Sequence, residues 1–415
     1  MPPTNASAPP SCQYCGVPLA ISWLDLGRQP LANSYMPSAE EARSAPTYPL
    51  HARVCSSCWL VQVDRDVPPA EIFSDYAYFS SFSESWLDHC RRYSEAVIDR
   101  FGLGAESLVV EVASNDGYLL KNFVARGIPV LGIDPAANIG EVARQAGVPT
   151  ETAFFGAALA ENLVERGIRA DHISAKNVLA HVPQIGDFAQ GIATLLKPEA
   201  VFTVEFPHLL KTMQGLQFDQ IYHEHFTYLS LLAVERIFAD KGMRVFDVEA
   251  LATHGGSLRV FICHRGAGHQ ETGRVAGVRD EELAAGLASA EGYAGYNDRV
   301  QRIAADFREL LETAREQGKL VAGYGAAAKG NTFLNFCGAE QSTLPFIADR
   351  SPAKFGKFMP GSAIPIVPPE HIQSARPDYL LILPWNLSKE IADQMAEIRE
   401  WGGRFVTVIP AMRIF

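Results

Sequence analysis

The sequence predicts an α/β protein with three parts: a small N-terminal zinc-binding module, a central Rossmann-like domain and a second Rossmann-like domain at the C-terminal end. Three observations predict this order. Two C-x-x-C pairs lie within the first 58 residues. A strand pattern that ends at Val112 leads into a loop of small residues and a helix pattern, and the same succession returns at Gly323. We place the boundaries at 1–75, 76–285 and 286–415.

Composition excludes some classes of function. The chain of 415 residues carries a net charge of −11, and this charge argues against a nucleic-acid partner, because phosphate backbones are bound by basic surfaces. No apolar run is long enough to span a bilayer, and the polar, proline-rich start lacks the features of a signal peptide. We therefore expect a cytoplasmic protein without membrane contact, and no feature of the sequence indicates an obligate protein partner.

The two cysteine pairs predict a structural metal site. Cys12 and Cys15 form the first pair, and Cys55 and Cys58 form the second. Each pair fits a tight turn, so four thiolates can converge on one tetrahedral zinc ion. Four cysteine ligands leave no open coordination position, which favours a structural ion over a catalytic one. Chance pairs of buried thiols are the alternative.

An aromatic stretch, 75–83, follows the module. It includes Tyr76 and Tyr78 and precedes a helix pattern over 86–101. Its rings are expected either to close the module onto the next domain or to carry a hydroxyl into a cleft between domains.

The central domain starts with a βαβ pattern. The strand pattern over 107–112 ends in Glu111-Val112-Ala113-Ser114-Asn115-Asp116-Gly117, and a second strand pattern ends at Asp134. A nucleotide fold needs a small-residue loop and an acidic residue after the next strand for ribose hydroxyls. Since Ala113 and Asn115 replace the glycines that a pyrophosphate requires, S-adenosylmethionine (SAM), which has no phosphates, fits the loop better. Glu111 and Asp134 are then the expected partners of its ammonium side and its ribose.

The sequence Tyr222-His223-Glu224-His225-Phe226-Thr227-Tyr228 is the densest group of proton-transferring side chains. Asn177 and His181 follow the fourth predicted strand and are expected at the same edge of the sheet. The alternative is a surface loop whose histidines satisfy carbonyls or cap a helix.

Two further loops are candidates for phosphate binding. Ser257 and Arg259 belong to His254-Gly255-Gly256-Ser257-Leu258-Arg259, which is equally compatible with a plain hairpin turn. The loop Gly323-Tyr324-Gly325-Ala326-Ala327-Ala328-Lys329-Gly330-Asn331 approximates a dinucleotide fingerprint, with Asp349 after the next strand. Lys329 at a helix start suggests a diphosphate, although small residues also suit a sharp strand-to-helix turn.

In this order the motifs resemble the bacterial sugar C-methyltransferases that act on dTDP-4-keto-deoxysugars in antibiotic biosynthesis, above all the C-3′-methyltransferases of the tetronitrose and mycarose type. The quoted motifs extend from C-x-x-C through E-V-A-S-N-D-G, N-V-L-A-H-V-P, Y-H-E-H-F-T-Y and G-Y-G-A-A-A-K-G-N to L-P-W-N. The resemblance implies SAM as cofactor, structural zinc and a dTDP-4-keto-deoxysugar as substrate. It implies cofactor contacts from residues of the central domain: Glu111, Ala113, Asn115, Gly117, Asp134 and Asn177. It implies a sugar-nucleotide site near residues of the aromatic stretch and the C-terminal half: Tyr78, Ser257, Arg259, Tyr324, Lys329, Asn331 and Asp349.

Methylation at C-3′ requires removal of a hydrogen made acidic by the C-4′ ketone. We expect His225 to be the base and Glu224 to orient it or to hold a sugar substituent, while Tyr222 and His181 donate to the enolate oxygen and Tyr76 closes the site. The rival functions are an NAD-dependent oxidoreductase acting on a nucleotide sugar, a binding scaffold, and methylation at nitrogen or oxygen.

Overall fold

The computed structural model describes residues 10–64, 67 and 84–415. Within these ranges the strands form three sheets. No helix in the described part of the chain combines the length and apolarity needed to cross a membrane.

The first sheet contains strands from two distant parts of the sequence. Its order is β1-β2-β3-β9, with antiparallel neighbours throughout. The strands are β1 (Ile21–Pro30), β2 (Thr47–Val54), β3 (Val61–Val63) and β9 (Thr227–Tyr228). Helix α1 (Ala39–Arg43) connects β1 to β2, and the Ser38 side chain caps it by accepting from the backbone N–H of Glu41. The short strand β9 directly follows the histidine-rich stretch, so this sheet fixes one end of that stretch.

The central sheet has the order β10-β11-β8-β7-β4-β5-β6. Strands β4 to β8 run parallel, and the hairpin of β10 and β11 adds two antiparallel strands at one edge. The parallel strands are almost continuously apolar because helices cover both faces of such a sheet. The strands are β4 (Val109–Val112), β5 (Val130–Ile133), β6 (Thr150–Glu151), β7 (Ala170–Lys176), β8 (Leu196–Pro207), β10 (Met243–Leu251) and β11 (Ser257–His264).

The helices that accompany this sheet alternate with its strands, as the sequence predicts for a Rossmann-like domain. They are α2 (Glu84–Phe101), α3 (Leu120–Val124), α4 (Ala137–Gln145), α5 (Ala157–Glu165), α6 (Ile185–Leu195), α7 (Leu209–Gln214), α8 (Leu231–Ala239) and α9 (Gly273–Ala284).

The third sheet, in the C-terminal part, has the order β14-β13-β12-β15-β16-β17 and is parallel except for β17. Its strands are β12 (Val321–Tyr324), β13 (Ile347–Ala348), β14 (Ile366–Val367), β15 (Tyr379–Ile382), β16 (Arg404–Thr407) and β17 (Arg413–Ile414). The helices of this part are α10 (Tyr296–Glu316), α11 (Ala328–Cys337), α12 (His371–Ala375) and α13 (Ser388–Gln394).

The N-terminal sheet shares a hydrophobic core with the C-terminal part. Trp23 on β1 is 1% exposed and packs against Tyr228, Tyr293 and Tyr296, with ring centroids 4.7–6.5 Å apart. The cysteine end packs instead into the core of the central sheet. The N-terminal module therefore contacts both of the other parts, and the histidine-rich stretch lies where all three meet.

Candidate active site

The stretch from Tyr222 to Phe226 is a loop with defined backbone contacts at both ends. The His225 N–H donates to the Tyr222 carbonyl at 2.9 Å, and the Phe226 N–H donates to the Ala180 carbonyl at 2.8 Å. The Phe226 carbonyl in turn accepts from the N–H of Val63 on β3. These bonds fix the loop between the central sheet and the N-terminal sheet, which positions its side chains for chemistry.

Tyr222 and His225 form a hydrogen-bonded pair. His225 Nδ1 lies 2.9 Å from the Gln220 carbonyl oxygen, which can only accept, so Nδ1 carries a hydrogen. Burial lowers the pKa of His225 well below 6.5, and the ring is therefore neutral near pH 7. Nε2 then holds the free electron pair and accepts from the Tyr222 hydroxyl at 2.8 Å. The chain itself thus fixes the tautomer that a base at Nε2 requires.

His181 joins this pair, as the sequence predicts from its place after the fourth strand. Its ring centroid lies 4.6 Å from that of His225, with the two planes at 71°. Burial lowers the pKa of His181 to about 4, while a hydrogen bond to the Glu224 backbone opposes the shift. Two neutral imidazoles and one phenol therefore form a compact cluster.

Glu224 points toward the N-terminal module. It is 6% exposed, and its Oε1 accepts a hydrogen bond from Asn33 Nδ2 at 2.6 Å. Burial raises the pKa of Glu224 to about 7, and the Asn33 amide opposes the shift. Tyr35, two residues beyond Asn33, donates to the Ala326 carbonyl at 2.7 Å. These contacts connect the loop from Tyr222 to Phe226 with the glycine-containing loop of the C-terminal part.

His223, which the sequence analysis did not place among the catalytic residues, lies on the side of the N-terminal module: its Nε2 is 3.1 Å from the Pro49 carbonyl on β2. The loop turns between Tyr222 and His225, so the alternation of an extended stretch does not apply there. Tyr76 and Tyr78 lie outside the described residues.

The predicted cofactor residues gather at the carboxyl ends of β4 and β5. Asp134 accepts hydrogen bonds from the backbone N–H groups of Asn115 and Ala136, both at 2.9 Å, and its burial raises its pKa. Glu111 at the end of β4 is buried, which raises its pKa well above 4.5, against the effect of Lys176 and the Tyr118 hydroxyl. The two carboxyl groups hence lie at one edge of the sheet, where an open α/β sheet binds its ligand.

Two loops at this edge, one after β4 and one after β7, have an unusual backbone. Ala113 (φ 55°), Asn115 (φ 48°) and Asn177 (φ 55°) are left-handed although none is a glycine. Such residues persist where the surrounding structure holds them and cluster at functional sites. Gly117 is also left-handed, and a Cβ there would lie 2.9 Å from Val148 Cγ2, so only glycine fits. The structure thus brings the six predicted cofactor residues to the carboxyl edge of neighbouring strands.

The residues predicted to contact the sugar nucleotide do not all converge. Arg259 does not present a free guanidinium: it is buried and pairs with Glu205 (Nε–Oε1, 2.7 Å) and Glu249 (Nη1–Oε2, 2.8 Å). Ser257 donates to the Thr253 carbonyl at 2.9 Å. The loop before β11 is thus the tight turn of the alternative interpretation, and both side chains are engaged within the protein.

Three residues of the C-terminal set are also engaged internally. Tyr324 packs in the core of the third sheet. Asn331 is buried in α11, where its Oδ1 accepts from Asn335, while its Nδ2 has no hydrogen-bond partner among the residues that the structure describes. The carboxylate of Asp349 accepts from the N–H groups of Ala326 and Ser351 at 2.7 and 2.8 Å. Asp349 therefore makes the same kind of backbone contacts after β13 as Asp134 makes after β5.

Lys329, by contrast, faces the catalytic part. Its Nζ donates to Asn386 Oδ1 at 3.0 Å and lies 4.9 Å from the centre of the Trp385 ring. Trp385 Nε1 donates to Asp219 Oδ2 at 2.7 Å, just before the catalytic loop. Burial lowers the pKa of Lys329, opposed by Asp219. The L-P-W-N motif therefore connects the two α/β parts. Asp219 and Asn33 also belong to the candidate site. The sequence analysis did not single them out, because an isolated polar residue forms no recognisable motif.

The four cysteines of the N-terminal module fit a zinc ion. Their sulfur atoms all lie within 4.8 Å of one another, with Cys12 to Cys58 at 3.6 Å and Cys15 to Cys55 at 3.4 Å. A tetrahedral ion with Zn–S bonds of about 2.3 Å implies sulfur–sulfur distances of about 3.8 Å. The donor set and spacing therefore suit a structural zinc ion held by thiolates.

Family models cover most of the chain. One described as "Methyltransferase domain" matches residues 86–248, and one described as "Putative zinc binding domain" matches 12–73. Together with the small-residue loop and the acidic residues at the strand ends, these matches place the chain in the class of SAM-dependent methyltransferases.

A further model, for the C-methyltransferase C-terminal domain, matches residues 252–410. The C-methyltransferase NovU of Streptomyces niveus is 38% identical over 406 residues, which span 97% of this chain and 96% of NovU. The chain belongs to the C-methyltransferase family. These matches do not favour the oxidoreductase alternative.

Other similarities are partial. A ubiquinone biosynthesis O-methyltransferase of Rhodopseudomonas palustris (strain TIE-1) is 28% identical over 160 residues, 33% of this chain and 61% of that protein. Magnesium protoporphyrin IX methyltransferase (ChlM) of Synechocystis PCC 6803, with bound SAM, aligns with a TM-score of 0.33 at 15% identity, over 47% of this chain and 88% of that one. At this TM-score we infer nothing further from the structural alignment.

Proposed function

We propose that this C-methyltransferase transfers a methyl group from SAM to C-3′ of a dTDP-linked 4-keto-deoxysugar through an enolate. The observation that carries the proposal is the Tyr222–His225 pair, with its Nε2 electron pair fixed by the Gln220 carbonyl. A carbon next to a ketone must lose a proton before it can attack a methyl group, whereas nitrogen and oxygen nucleophiles need less help. A neutral, oriented imidazole supplies that base.

The proton then has a defined destination. The Tyr222 hydroxyl first turns its hydrogen from Nε2 toward the C-4′ oxygen, which frees the Nε2 electron pair. His225 Nε2 then takes the C-3′ hydrogen, and the electrons of the C–H bond pass into the C-3′–C-4′ bond as negative charge develops on the C-4′ oxygen. Once protonated, Nε2–H donates to the Tyr222 oxygen, which releases the phenol hydrogen for the enolate oxygen. His181, 4.6 Å from His225 between ring centroids, is the second candidate donor. The bound cofactor supplies the methyl group on a positively charged sulfur.

The surroundings support a substrate that reaches across the parts of the chain. Asn33 of the N-terminal module holds Glu224, and Lys329 of the C-terminal part approaches the same region through Trp385 and Asn386. A buried ammonium with a lowered pKa gains from a diphosphate beside it, since the anion restores its charge. We assign the sugar nucleotide to this cleft, with the domains bounded as the sequence predicts.

The test uses the purified enzyme, methyl-labelled SAM and a panel of dTDP-4-keto sugars that differ at C-3′. Mass spectrometry should find one labelled methyl group on the sugar. In D₂O the C-3′ hydrogen should exchange in the presence of enzyme. A product methylated only at oxygen or nitrogen, without exchange at C-3′, would refute the carbanion chemistry.

A further inference from the structure

His254 has a strained backbone in the loop before β11. Its φ and ψ are 55° and 24°, a left-handed conformation that is uncommon for any residue with a side chain. The loop is held in place, since Gln220 Nε2 donates to the His254 carbonyl at 3.3 Å and Gln217 Nε2 donates to the Gly255 carbonyl at 2.8 Å. A Cβ on Gly255 would lie 2.4 Å from the Trp385 ring, so the loop is closely packed against the L-P-W-N motif.

The strained loop directs the His254 imidazole at a residue of the cofactor loop. Nε2 lies 3.2 Å from Asn177 Nδ2, which can only donate, so Nε2 accepts and Nδ1 carries the hydrogen. Burial lowers the pKa of His254 to about 4, and the nearby Lys329 charge acts in the same direction, so the ring is neutral. Asn177 is itself left-handed, with φ 55°. Two strained residues from different loops therefore meet through their side chains.

We propose that His254 is a positioning residue for the cofactor: it holds the Asn177 amide by its Nδ2 so that Oδ1 is presented as an acceptor to the ammonium group at the amino-acid end of SAM. Within residues 84–415 no group donates a hydrogen bond to Asn177 Oδ1. Because the hydrogen bond at Nδ2 fixes the orientation of the Asn177 amide, it also fixes the position of Oδ1. This lowers the conformational entropy lost when SAM binds. The inference rests on the cofactor role proposed for Asn177 and not on the identity of the methyl acceptor.

Glycine tests this role because it removes the imidazole and accepts a left-handed backbone without strain. We expect His254→Gly to weaken SAM binding about tenfold, measured by calorimetry on the full chain without sugar, as one lost hydrogen bond of moderate strength predicts. Its melting temperature should equal or exceed that of the wild type. His254→Gln places an acceptor near the position of Nε2 and should restore affinity to within about threefold. Arg376→Gly is the matched control: Arg376 is exposed and left-handed (φ 48°) at the end of α12, and its replacement should leave SAM affinity unchanged.

A double-mutant cycle distinguishes action through Asn177 from an independent effect. Asn177→Ala should weaken SAM binding, and adding His254→Gly should weaken it no further. The proposal is overturned if His254→Gly binds SAM like the wild type, if Asn177→Ala has no effect, or if the two losses simply add. None of these measurements involves the sugar, so they would remain valid if the proposed sugar substrate proved wrong.

Discussion

Replacing His225 by asparagine removes the Nε2 electron pair together with the ring contacts to Tyr222 and His181. An asparagine amide reaches about as far as Nδ1 and can still donate to the Gln220 carbonyl, which accepts from Nδ1 at 2.9 Å in the wild type. The loop should therefore keep its conformation and SAM its affinity. General-base catalysis contributes about 10²- to 10⁴-fold, so we expect kcat to fall by that factor, equivalent to about 3–5 kcal/mol in the activation barrier.

Two rates measured on one sample make this prediction specific. The first is exchange of the C-3′ hydrogen of a dTDP-4-keto sugar with D₂O, and the second is single-turnover transfer of labelled methyl from SAM. Both should fall by the same factor, because proton removal precedes transfer. His223→Asn is the matched control, as His223 contacts the N-terminal module through the Pro49 carbonyl and the Tyr48 ring. It should keep both rates within about threefold while costing about 1 kcal/mol of stability.

Wild-type exchange in His225→Asn with slow methyl transfer would refute the assignment of the base. It would mean that another group removes the hydrogen and that His225 acts later in the reaction. Loss of SAM binding in the variant would refute the premise that the loop is preserved.

Three further predictions follow from the same contacts. Because burial lowers the pKa of His225 well below 6.5, the acidic fall of kcat/KM should lie below pH 6.5, lower than an unperturbed histidine implies; a midpoint at or above 6.5 would contradict the structure. Burial raises the pKa of Glu224 from 4.5 to about 7, so the free energy of unfolding of the wild type should fall as the pH rises from 4.5 to 7. Urea unfolding should show that this fall is about 3 kcal/mol larger in the wild type than in Glu224→Gln. Equal pH profiles of the two proteins would count against the buried carboxyl group. Cys55→Ala should abolish the bound zinc detected by elemental analysis and lower methyl transfer, since the same module holds Glu224 through Asn33; a zinc-free variant with full activity would contradict this coupling.

Local signals predicted most of the architecture. The C-x-x-C pairs, the acid at the end of a strand and the small-residue loops each specify a nearby conformation, and the structure confirms the fold class. The helix predicted over 86–101 is found at Glu84–Phe101.

Contacts between distant segments could not be predicted. Arg259 forms a hydrogen-bonded ion pair with Glu205 on a neighbouring strand. Such a pair becomes buried only when the sheet is complete. The left-handed backbone of His254 likewise belongs to a loop that packs against Trp385 at the neighbouring Gly255, a contact between distant segments of the sequence. Motifs and their spacing therefore predicted the fold class, while the contacts between distant side chains required the assembled chain.

The pairing of Val61–Val63 with Thr227–Tyr228 also affects how the molecule is made. As the nascent chain leaves the ribosome, the first sheet stays open along one side until the segment carrying the proposed base has been synthesised. An edge left unpaired during translation can recruit other chains, so a truncated product would be prone to aggregate. The pairing that completes this sheet consequently also fixes the loop that carries the proposed base. A chain whose synthesis stops before Tyr228 lacks both.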